Sequence, residues 1–330
     1  MKYARSRKVH RREFLVEGTV AASAAALLAG CGDDEGDDGP TPVTIGARVV
    51  DLEDAKSVGA KGALDAARVK AMLHAGLKEL TGQASLAHAW KVLLPGATAS
   101  TRVGLKCSGI NWSVCSSPAM VKALVQTLIA DAGIDAKNIV VWDKTWLELK
   151  LAQLTEEELG VKVQGTVASP EGPGWDKTAH TVLGTKCMFS RIFTKMTDVT
   201  INCGVLKSHG IAGVTGALKN VYGMFTEPGD FHGNLNDALP KLYSLVAKET
   251  KLCINEGYLA VSNGGPMGPA SHKPGRLLLS VDPVAIDVHV LALINGLRTT
   301  PVSDKRLKWI DNAVAAGLGS KTPEVIKRVM

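Results

Sequence analysis

Strand-like and helix-like segments alternate along this chain of 330 residues, and no other feature of the sequence limits its fold as strongly. One helix-like segment begins with Ser117 as cap and Pro118 in the first turn, the usual chemistry of a helix start. The strand-like segments are 43–50, 102–107, 138–142, 199–206, 251–261 and 276–281, and the helix-like segments are 64–80, 117–132, 146–154, 213–222, 235–246 and 283–297. This order predicts an α/β fold: one large domain over 43–330, with a mostly parallel sheet, helices on both faces and Rossmann-like layering.

Residues 1–30 predict an export signal, and Cys31 predicts a lipid-attachment site. Arg11 and Arg12 begin an Arg-Arg-x-Phe-Leu motif typical of twin-arginine signals, and Cys31 ends a Leu-Ala-Gly-Cys box typical of bacterial lipoproteins. The apolar stretch at 18–29 is shorter than the roughly 20 residues that a membrane-spanning helix needs. The sequence therefore predicts a protein exported by the twin-arginine machinery and anchored to the cell envelope by a lipid, facing the periplasm or the exterior.

Residues 31–42 predict a flexible tether between that lipid and the domain. Five acidic side chains stand on a Gly-rich stretch that ends in a Pro-Thr-Pro run, so the segment has little apolar surface to bury. The whole chain carries a net charge of +6 and only 5% aromatic residues, without a Lys/Arg-rich run in the domain. This composition argues against a nucleic-acid partner. Ordinary solvated surface lysines explain the positive charge best, and a small anionic ligand stays open as the alternative.

The densest polar cluster follows the predicted strand at 199–206. Lys207 and His209 come at its carboxyl end, where α/β folds place their ligands. Thr215 and Gly216 belong to a small-residue segment that is predicted to begin a helix, and free backbone N–H groups at a helix start attract anions. Lys219 is predicted to add a positive charge to such a site. The alternative, a solvated helix end beside an ordinary loop histidine, remains open on the sequence alone.

Two further residues complete the predicted catalytic set. Asn220 is expected to orient the substrate, and His232 lies in a polar turn and is the best partner for His209. The two histidines are candidate acid–base groups or ligands of a divalent metal ion. The sequence lacks the Cys-x2-Cys-x2-Cys run of an iron–sulfur protein, so no such cluster is predicted.

Three acidic or basic residues outside this cluster are candidate ligand-binding groups. Lys106 and Asp143 each end a predicted strand, although Asp143 is at least as well explained as the cap of the next helix. Asp287 lies within an apolar helix, where a charged group must be paired or line a cavity.

The five cysteines after Cys31 lack the spacing of a zinc site. Cys203 and Cys253 lie in apolar strand patterns, which indicates core positions. Cys107 and Cys115 flank a loop at a strand end, and the sequence leaves open whether they pair.

Several of these segments together resemble a bacterial and archaeal family known as domain of unknown function 362. The resemblance covers roughly residues 89–298. It is carried by the runs at 103–106, 117–118, 138–143, 201–209, 213–223, 231–232, 264–266 and 279–287, and it is closest to exported members with twin-arginine signals. Glu256 takes the place of an aspartate in the similar sequences. The resemblance implies the α/β domain but no particular reaction.

Two classes of function fit the sequence. The first is a membrane-tethered enzyme that uses the Lys/His/Asn site on a small anionic substrate, with or without a metal ion. The second is a non-catalytic envelope lipoprotein that binds a ligand, metal or redox partner with the same residues. A strongly lowered pKa at Lys207 or Lys219 is expected for the enzyme, and ordinary solvated lysines for the binder.

Overall fold

The computed structural model of the protein describes residues 39, 40, 43–167 and 172–330. The predicted export signal with Arg11 and Arg12, the lipid-attachment site Cys31 and all but two residues of the predicted tether lie outside this part of the chain. None of the helices in the described residues combines the length and the apolar character that crossing a bilayer requires.

Strands and helices alternate along the described residues. The strands are β1 (Arg48–Glu53), β2 (Val103–Lys106), β3 (Ile139–Thr145), β4 (Lys162–Val167), β5 (Trp175–Val182), β6 (Thr185–Ser190), β7 (Val199–His209), β8 (Gly213–Thr215), β9 (Thr250–Val261), β10 (Arg276–Ser280) and β11 (Glu324–Val329). The helices are α1 (Ala66–Thr81), α2 (Leu86–Leu93), α3 (Pro118–Ala130), α4 (Trp146–Leu151), α5 (Glu156–Leu159), α6 (Ala217–Asn220), α7 (Leu235–Ser244), α8 (Pro283–Gly296) and α9 (Lys308–Ala315).

Nine strands form one mostly parallel sheet in the order β11–β1–β10–β9–β7–β2–β3–β4, with β8 paired to β7. The neighbours from β9 to β4 all run parallel, and so do β1 and β11. β10 is antiparallel to both neighbours, because it returns from β9 through a loop rather than through a crossover helix. β5 and β6 form a separate two-stranded hairpin.

Helices cover both faces of the sheet, as the alternation predicts. Along β3, Ile139 and Val141 belong to the core shared with α1, α2 and α3. Val140 and Trp142, which alternate with them, belong to the core shared with α6, α7, α8 and α9. Since successive strand residues face opposite sides, β1, β3, β7, β9 and β10 supply side chains to both cores, and the fold is a single α/β domain.

The chain leaves β2 and β7 toward opposite faces. β2 continues into α3 on one face, whereas β7 continues through β8 and α6 to α7 on the other. Adjacent parallel strands whose connections diverge leave a crevice at their carboxyl ends, and ligands of α/β proteins bind in such crevices. The sheet order therefore predicts a ligand site at the carboxyl ends of β2 and β7.

The predicted helix at 213–222 is wrong. β7 runs on to His209, and Gly213, in the left-handed region with φ 82°, begins β8, which pairs back onto it. Only the four residues of α6 are α-helical in this segment, and a 3-10 turn over Val221–Met224 follows. Glycine loses more conformational entropy in a helix than any other residue. This Gly-rich segment forms a tight turn and a short strand instead.

Candidate functional site

The candidate site lies at the carboxyl ends of β2 and β7, in the crevice between their diverging connections. It brings together most of the residues predicted from the sequence. Lys106 ends β2, Lys207 and His209 lie in the last part of β7, and Lys219 and Asn220 lie in α6. All five side chains are buried.

Lys106 and Asp143 form a buried ion pair. Lys106 Nζ lies 2.7 Å from Asp143 Oδ1, and the backbone N–H of Gly109 donates to Asp143 Oδ2 at 2.8 Å. The cap of α4 is Thr145, so the alternative role for Asp143 does not apply. Gly223 lies directly against the pair, since a Cβ there would come 2.5 Å from Asp143 Oδ1. The ion pair links β2 to β3, and the charges of Lys106 and Asp143 balance each other.

Lys207 and Lys219 are buried cations that no carboxylate pairs with in the described part of the chain. Lys207 is 0% exposed, and its Nζ has only a long contact of 3.4 Å to Ser108 Oγ. Lys219 Nζ lies 3.4 Å from the centre of the Tyr222 ring. Burial lowers the pKa of Lys207 to about 8. Burial, and then the charge of Lys106, lowers the pKa of Lys219 to about 7. The crevice thus carries more positive than negative charge.

The rings of His209 and His232 lie parallel to each other near Lys219. Their ring centres are 5.8 Å apart and the planes differ by 6°. His209 Nδ1 accepts the backbone N–H groups of Ile211 and Ala212, each at 3.1 Å, so the neutral ring carries its proton on Nε2. Burial, followed by the charge of Lys219, lowers the pKa of His209 to about 3. Burial also lowers the pKa of His232. Both rings are therefore neutral at neutral pH.

The two histidines do not form a metal site by themselves. Across residues 43–167 and 172–330, no group of three or more His, Cys, Asp or Glu side chains is arranged to hold a metal ion. Structural and catalytic zinc sites take at least three protein ligands, and one nitrogen of His209 is already occupied by backbone N–H groups. The pair does not fit the predicted metal ion, and no chemical step is assigned to one.

Asn220 holds the scaffold of the site. Its Nδ2 donates to Asn202 Oδ1 at 2.7 Å and to the carbonyl of Lys106 at 3.2 Å. Asn202 in turn donates to the carbonyl of Ala217 at 2.8 Å. These bonds fasten α6 to β2 and β7, so the Asn220 amide N–H groups are engaged by the protein itself.

The start of α6 is closed by a carboxylate of the protein. Asp287 of α8 accepts the backbone N–H groups of Ala217 and Leu218, the latter at 2.9 Å. Gly216 is required there, because a Cβ would collide with Asp287 Oδ1. The predicted anion site at Thr215 and Gly216 is therefore wrong. The backbone N–H groups that an anionic ligand was expected to bind already donate to the Asp287 carboxylate.

Asp287 accordingly belongs to the scaffold rather than to a ligand site. It is 0% exposed, and burial raises its pKa to about 7, against the lowering effect of its two backbone hydrogen bonds. Thr215 lies in β8, and its hydroxyl is buried without a hydrogen-bond partner among the described residues.

The structure adds two residues of β9 that sequence reasoning missed. The Glu256 carboxylate accepts from the backbone N–H of Ser117 at 2.9 Å and from the Ser117 hydroxyl, and burial raises the pKa of Glu256 to about 8. Tyr258, two residues on, is 2% exposed. A glutamate inside an otherwise apolar strand-like run was the available signal, since a buried carboxylate needs partners.

The structure also answers the question about the cysteines. Cys107 and Cys115 are both free. Cys107 and Cys203 are fully buried, whereas Cys115 is half-buried. Burial raises the pKa of the Cys115 thiol to about 12, so it is neutral at physiological pH.

Comparisons with known proteins identify a family but no activity. The family described as "Domain of unknown function (DUF362)" matches residues 108–292, more than half of the chain. No curated protein sequence matches the chain. A crystal structure of a protein from Thermotoga maritima aligns with 60% of this chain at 12% sequence identity and a TM-score of 0.37. The alignment spans 51% of the length of that structure, about half.

Proposed function

Since the chain belongs to the DUF362 family, whose description assigns no activity, we propose its function from the site itself. The protein is an enzyme that acts on a small anionic substrate, which it holds with Lys207 and Lys219 at the carboxyl ends of β2 and β7. It does so outside the cytoplasm, tethered to a membrane by a lipid on Cys31.

One observation carries the substrate class: Lys207 of β7 and Lys219 of α6 are both buried, and neither forms an ion pair with a carboxylate in the described residues. Burying a charge is costly unless it is paired and hydrogen-bonded. The other buried lysine of the site, Lys106, has such a partner in Asp143. An anionic ligand would supply the missing negative charge for Lys207 and Lys219. Phosphate and carboxylate groups are the anions that lysine ammonium groups commonly bind.

The protonation states support catalysis. A general acid or base works best when its pKa is near the working pH, and the pKa of Lys219 is lowered to about 7. Lys219 can therefore give or take a proton at neutral pH. The neutral His209 can donate a hydrogen bond from Nε2 to a substrate oxygen. Perturbed pKa values cluster at functional sites, which favours the enzyme over an inert scaffold.

A non-catalytic anion-binding protein is the second candidate, and a specific observation favours it. Asn220, Asp143 and Asp287, three of the expected site residues, are engaged in hydrogen bonds that hold the fold together. This leaves few groups to perform a reaction. The two candidates share the binding step and differ only in turnover.

Anion binding can be tested by calorimetric titration with inorganic phosphate and with acetate. We expect one of them to bind at about one per chain, and the affinity to fall at least about tenfold in Lys207→Met and in Lys219→Met, since each removes a charged contact. Lys241→Met, which changes an exposed lysine of α7, is the matched control. Unchanged affinity in both site variants would rule out the proposed site.

Turnover separates the two candidates. Incubation with a panel of phosphate esters and carboxylic esters, read by phosphate or acid release, should show a product that Lys219→Met no longer forms although the variant remains folded. Binding without conversion across the panel would favour the non-catalytic protein.

The cellular location is a separate proposal with its own support in the sequence. Arg11 and Arg12 form the twin-arginine pair, and Cys31 ends the lipoprotein box. We expect Cys31→Ser to move the exported protein from the membrane fraction to the soluble fraction. We expect Arg11→Lys combined with Arg12→Lys to hold the uncleaved precursor inside the cell. Membrane association of the Cys31→Ser protein would contradict the lipid anchor.

A further inference from the structure

β11 lies at one edge of the sheet and has a neighbouring strand on one side only. It pairs in parallel with β1, and no strand of the described residues pairs with its other side. Four of its six residues are exposed, so the neighbouring helices do not cover it. An edge strand of this kind presents unpaired backbone N–H and C=O groups, with which a strand of another chain can pair.

The ladder with β1 shows which backbone groups of β11 point outward. The N–H of Glu324 donates to the carbonyl of Ala47 at 3.1 Å, and the N–H of Met330 donates to the carbonyl of Glu53 at 2.9 Å. Because the backbone groups of a strand alternate between its two sides, every second residue from 324 to 330 faces β1. The N–H and C=O groups of the residues between them, 325, 327 and 329, therefore point away from the sheet.

These outward groups allow only a few ways of pairing with a second copy of β11. An antiparallel pair about a two-fold axis forms hydrogen bonds only where outward-facing residues lie opposite each other. Two such registers pair five of the six residues of the strand, one centred on Ile326 and one centred on Lys327.

The charges of β11 favour the register centred on Ile326. In the other register, Lys327 lies directly opposite Lys327 of the second copy, and like charges in that position are destabilising. In the register centred on Ile326, Glu324 lies opposite Arg328 of the second copy, and the two copies of Ile326 meet at the axis. Opposite charges and apolar pairs facing each other across two strands stabilise a sheet.

The charges beside β11 extend this complementarity. Arg328 donates to both carboxylate oxygens of Glu79 in α1, at 2.9 and 3.2 Å. Arg48 of β1 lies 3.4 Å from Glu324. In the register centred on Ile326, each Glu324 carboxylate lies between Arg48 of its own chain and Arg328 of the second copy. The result is a row of four charges of alternating sign, present twice, and such networks stabilise more than isolated surface pairs do.

We propose that a second copy of this chain binds at β11, antiparallel and centred on Ile326, so that the two sheets join into one. Lys327, whose charge would otherwise keep other strands away from an open edge, then lies opposite Val325 and can pack its aliphatic stem there. The inference is independent of the proposed function, because β7 lies four strands away from β11 in the sheet.

Sedimentation velocity over a range of concentrations tests this dimer. The full chain carrying Cys31→Ser is used, because it has no lipid to bring copies together, and we expect it to show a monomer–dimer equilibrium. Glu324→Arg and Arg328→Glu should each raise the dissociation constant of the dimer at least about tenfold, because each places like charges opposite each other at two positions. Glu157→Arg, the same change at an exposed position of α5, should leave the dimer unchanged.

A mixture of the two charge variants tests the register itself. When Glu324→Arg and Arg328→Glu are combined in equal amounts, we expect dimers to form again. The introduced arginine of one chain then lies opposite the introduced glutamate of the other, and the unchanged Arg328 and Glu324 also face each other. A dimer formed elsewhere on the surface would not respond in this way.

Cross-linking gives a second readout that does not depend on charge. Residues directly opposite each other without hydrogen bonds between them have Cα atoms about 4.5 Å apart, within the range that a disulfide spans. Ile326→Cys should therefore form a disulfide-linked dimer under mild oxidation, seen on a non-reducing gel beside the parent. Val329→Cys, at a position that is 83% exposed, should not, because the two copies of residue 329 lie at opposite ends of the paired strands.

Three outcomes would overturn the inference. The parent could remain a monomer at every concentration. A dimer could persist unchanged in Glu324→Arg and in Arg328→Glu, which would place the interface elsewhere. Cross-linking of Val329→Cys without cross-linking of Ile326→Cys would exclude the register centred on Ile326.

Discussion

Lys207 and Lys106 lie in one buried crevice, yet they differ in the way their charge is balanced. Lys106 has Asp143 at 2.7 Å, whereas Lys207 has only the hydroxyl of Ser108 at 3.4 Å. We therefore infer that Lys106 stabilises the fold, whereas Lys207 is available to bind a ligand.

Replacing each lysine by methionine should therefore change stability in opposite directions. At pH 7 we expect Lys207→Met to raise the free energy of unfolding, by about 1–4 kcal/mol, because it removes a desolvated charge without a partner. Lys106→Met should lower it by about 3–5 kcal/mol, because it leaves Asp143 buried and unpaired. Urea denaturation measures both. A loss of stability in Lys207→Met comparable to that in Lys106→Met would show that Lys207 is a structural residue.

The same lysine predicts a pH dependence. The pKa of Lys207 is lowered to about 8 in the folded protein, against about 10.4 in an unfolded chain. The penalty for its buried charge is fully present below pH 8 and is relieved between pH 8 and 10.4, where the unfolded chain binds more protons. The advantage of Lys207→Met over the parent should therefore shrink as pH rises through that window. A constant difference from pH 6 to pH 10 would contradict the lowered pKa.

Glu256 predicts the opposite trend. Burial raises its pKa to about 8, above the value of about 4.3 in an unfolded chain. Its protonated form stabilises the fold below about pH 4.3, and this contribution is lost as pH rises to 8. Glu256→Gln should thus gain stability relative to the parent from pH 5 to 8, by up to about 1.4 kcal/mol per unit. Glu157→Gln, at an exposed position, should show no such trend in the same thermal unfolding series.

At the scale of elements, the short helix α6 depends on a residue far away in the chain. Its first N–H groups donate to Asp287, about seventy positions later, and its last residue is fastened to β2 and β7 through Asn220. A helix of four residues has almost no stability of its own. Its position, and with it that of Lys219, is therefore fixed by tertiary contacts.

Removing the Asp287 carboxylate should destabilise α6. We expect Asp287→Ala to cost about 2–4 kcal/mol, because it leaves two buried N–H groups without acceptors and creates a cavity. Asp282→Ala, which removes the cap of α8 and the acceptor of the Ser320 backbone N–H, should cost about 1–2 kcal/mol, because Asp282 is only partly buried. Chemical denaturation gives both values. A smaller effect at Asp287 than at Asp282 would mean that its hydrogen bonds do not hold α6.

Local pattern predicted the longer elements well and the short ones badly. α3 and α8 begin with a capping side chain followed by proline, as their sequences indicate. The segments that form α2, α5, α9, β4, β5, β6 and β11 were not predicted. β11 illustrates the reason: its residues carry only a weak apolar pattern, and it exists because Glu324–Val329 pairs in parallel with β1, far away in sequence.

For the whole molecule, the two cores share one sheet. Because β1, β3, β7, β9 and β10 contribute side chains to both faces, we infer that loss of packing on one face would disrupt the other. We expect residues 43–330 to unfold in a single transition, with equal calorimetric and van't Hoff enthalpies. Two separate transitions in scanning calorimetry would show that the faces are independent.

The sequence by itself determined the layering, the family and the types of residue in the site. Alternating apolar patterns depend on neighbours a few positions apart, so they can be read along the chain. The sequence named His232 as the partner of His209, and the two rings do lie parallel to each other, 5.8 Å apart. Lys106 was correctly placed at the end of β2, whereas β3 runs on to Thr145, two residues beyond the strand end predicted at Asp143.

Only the tertiary structure decided which of these charges are balanced. Asp143 pairs with Lys106 and Asp287 caps α6, whereas Lys207 and Lys219 form no ion pair with a carboxylate in the described residues. A cavity at the start of α3, lined by residues of β7, β9 and the β2–α3 loop, is likewise formed by segments far apart in sequence. Charge balance and cavity shape depend on distances of a few ångströms between side chains from different elements, and such distances are set only when the sheet and its helices pack together.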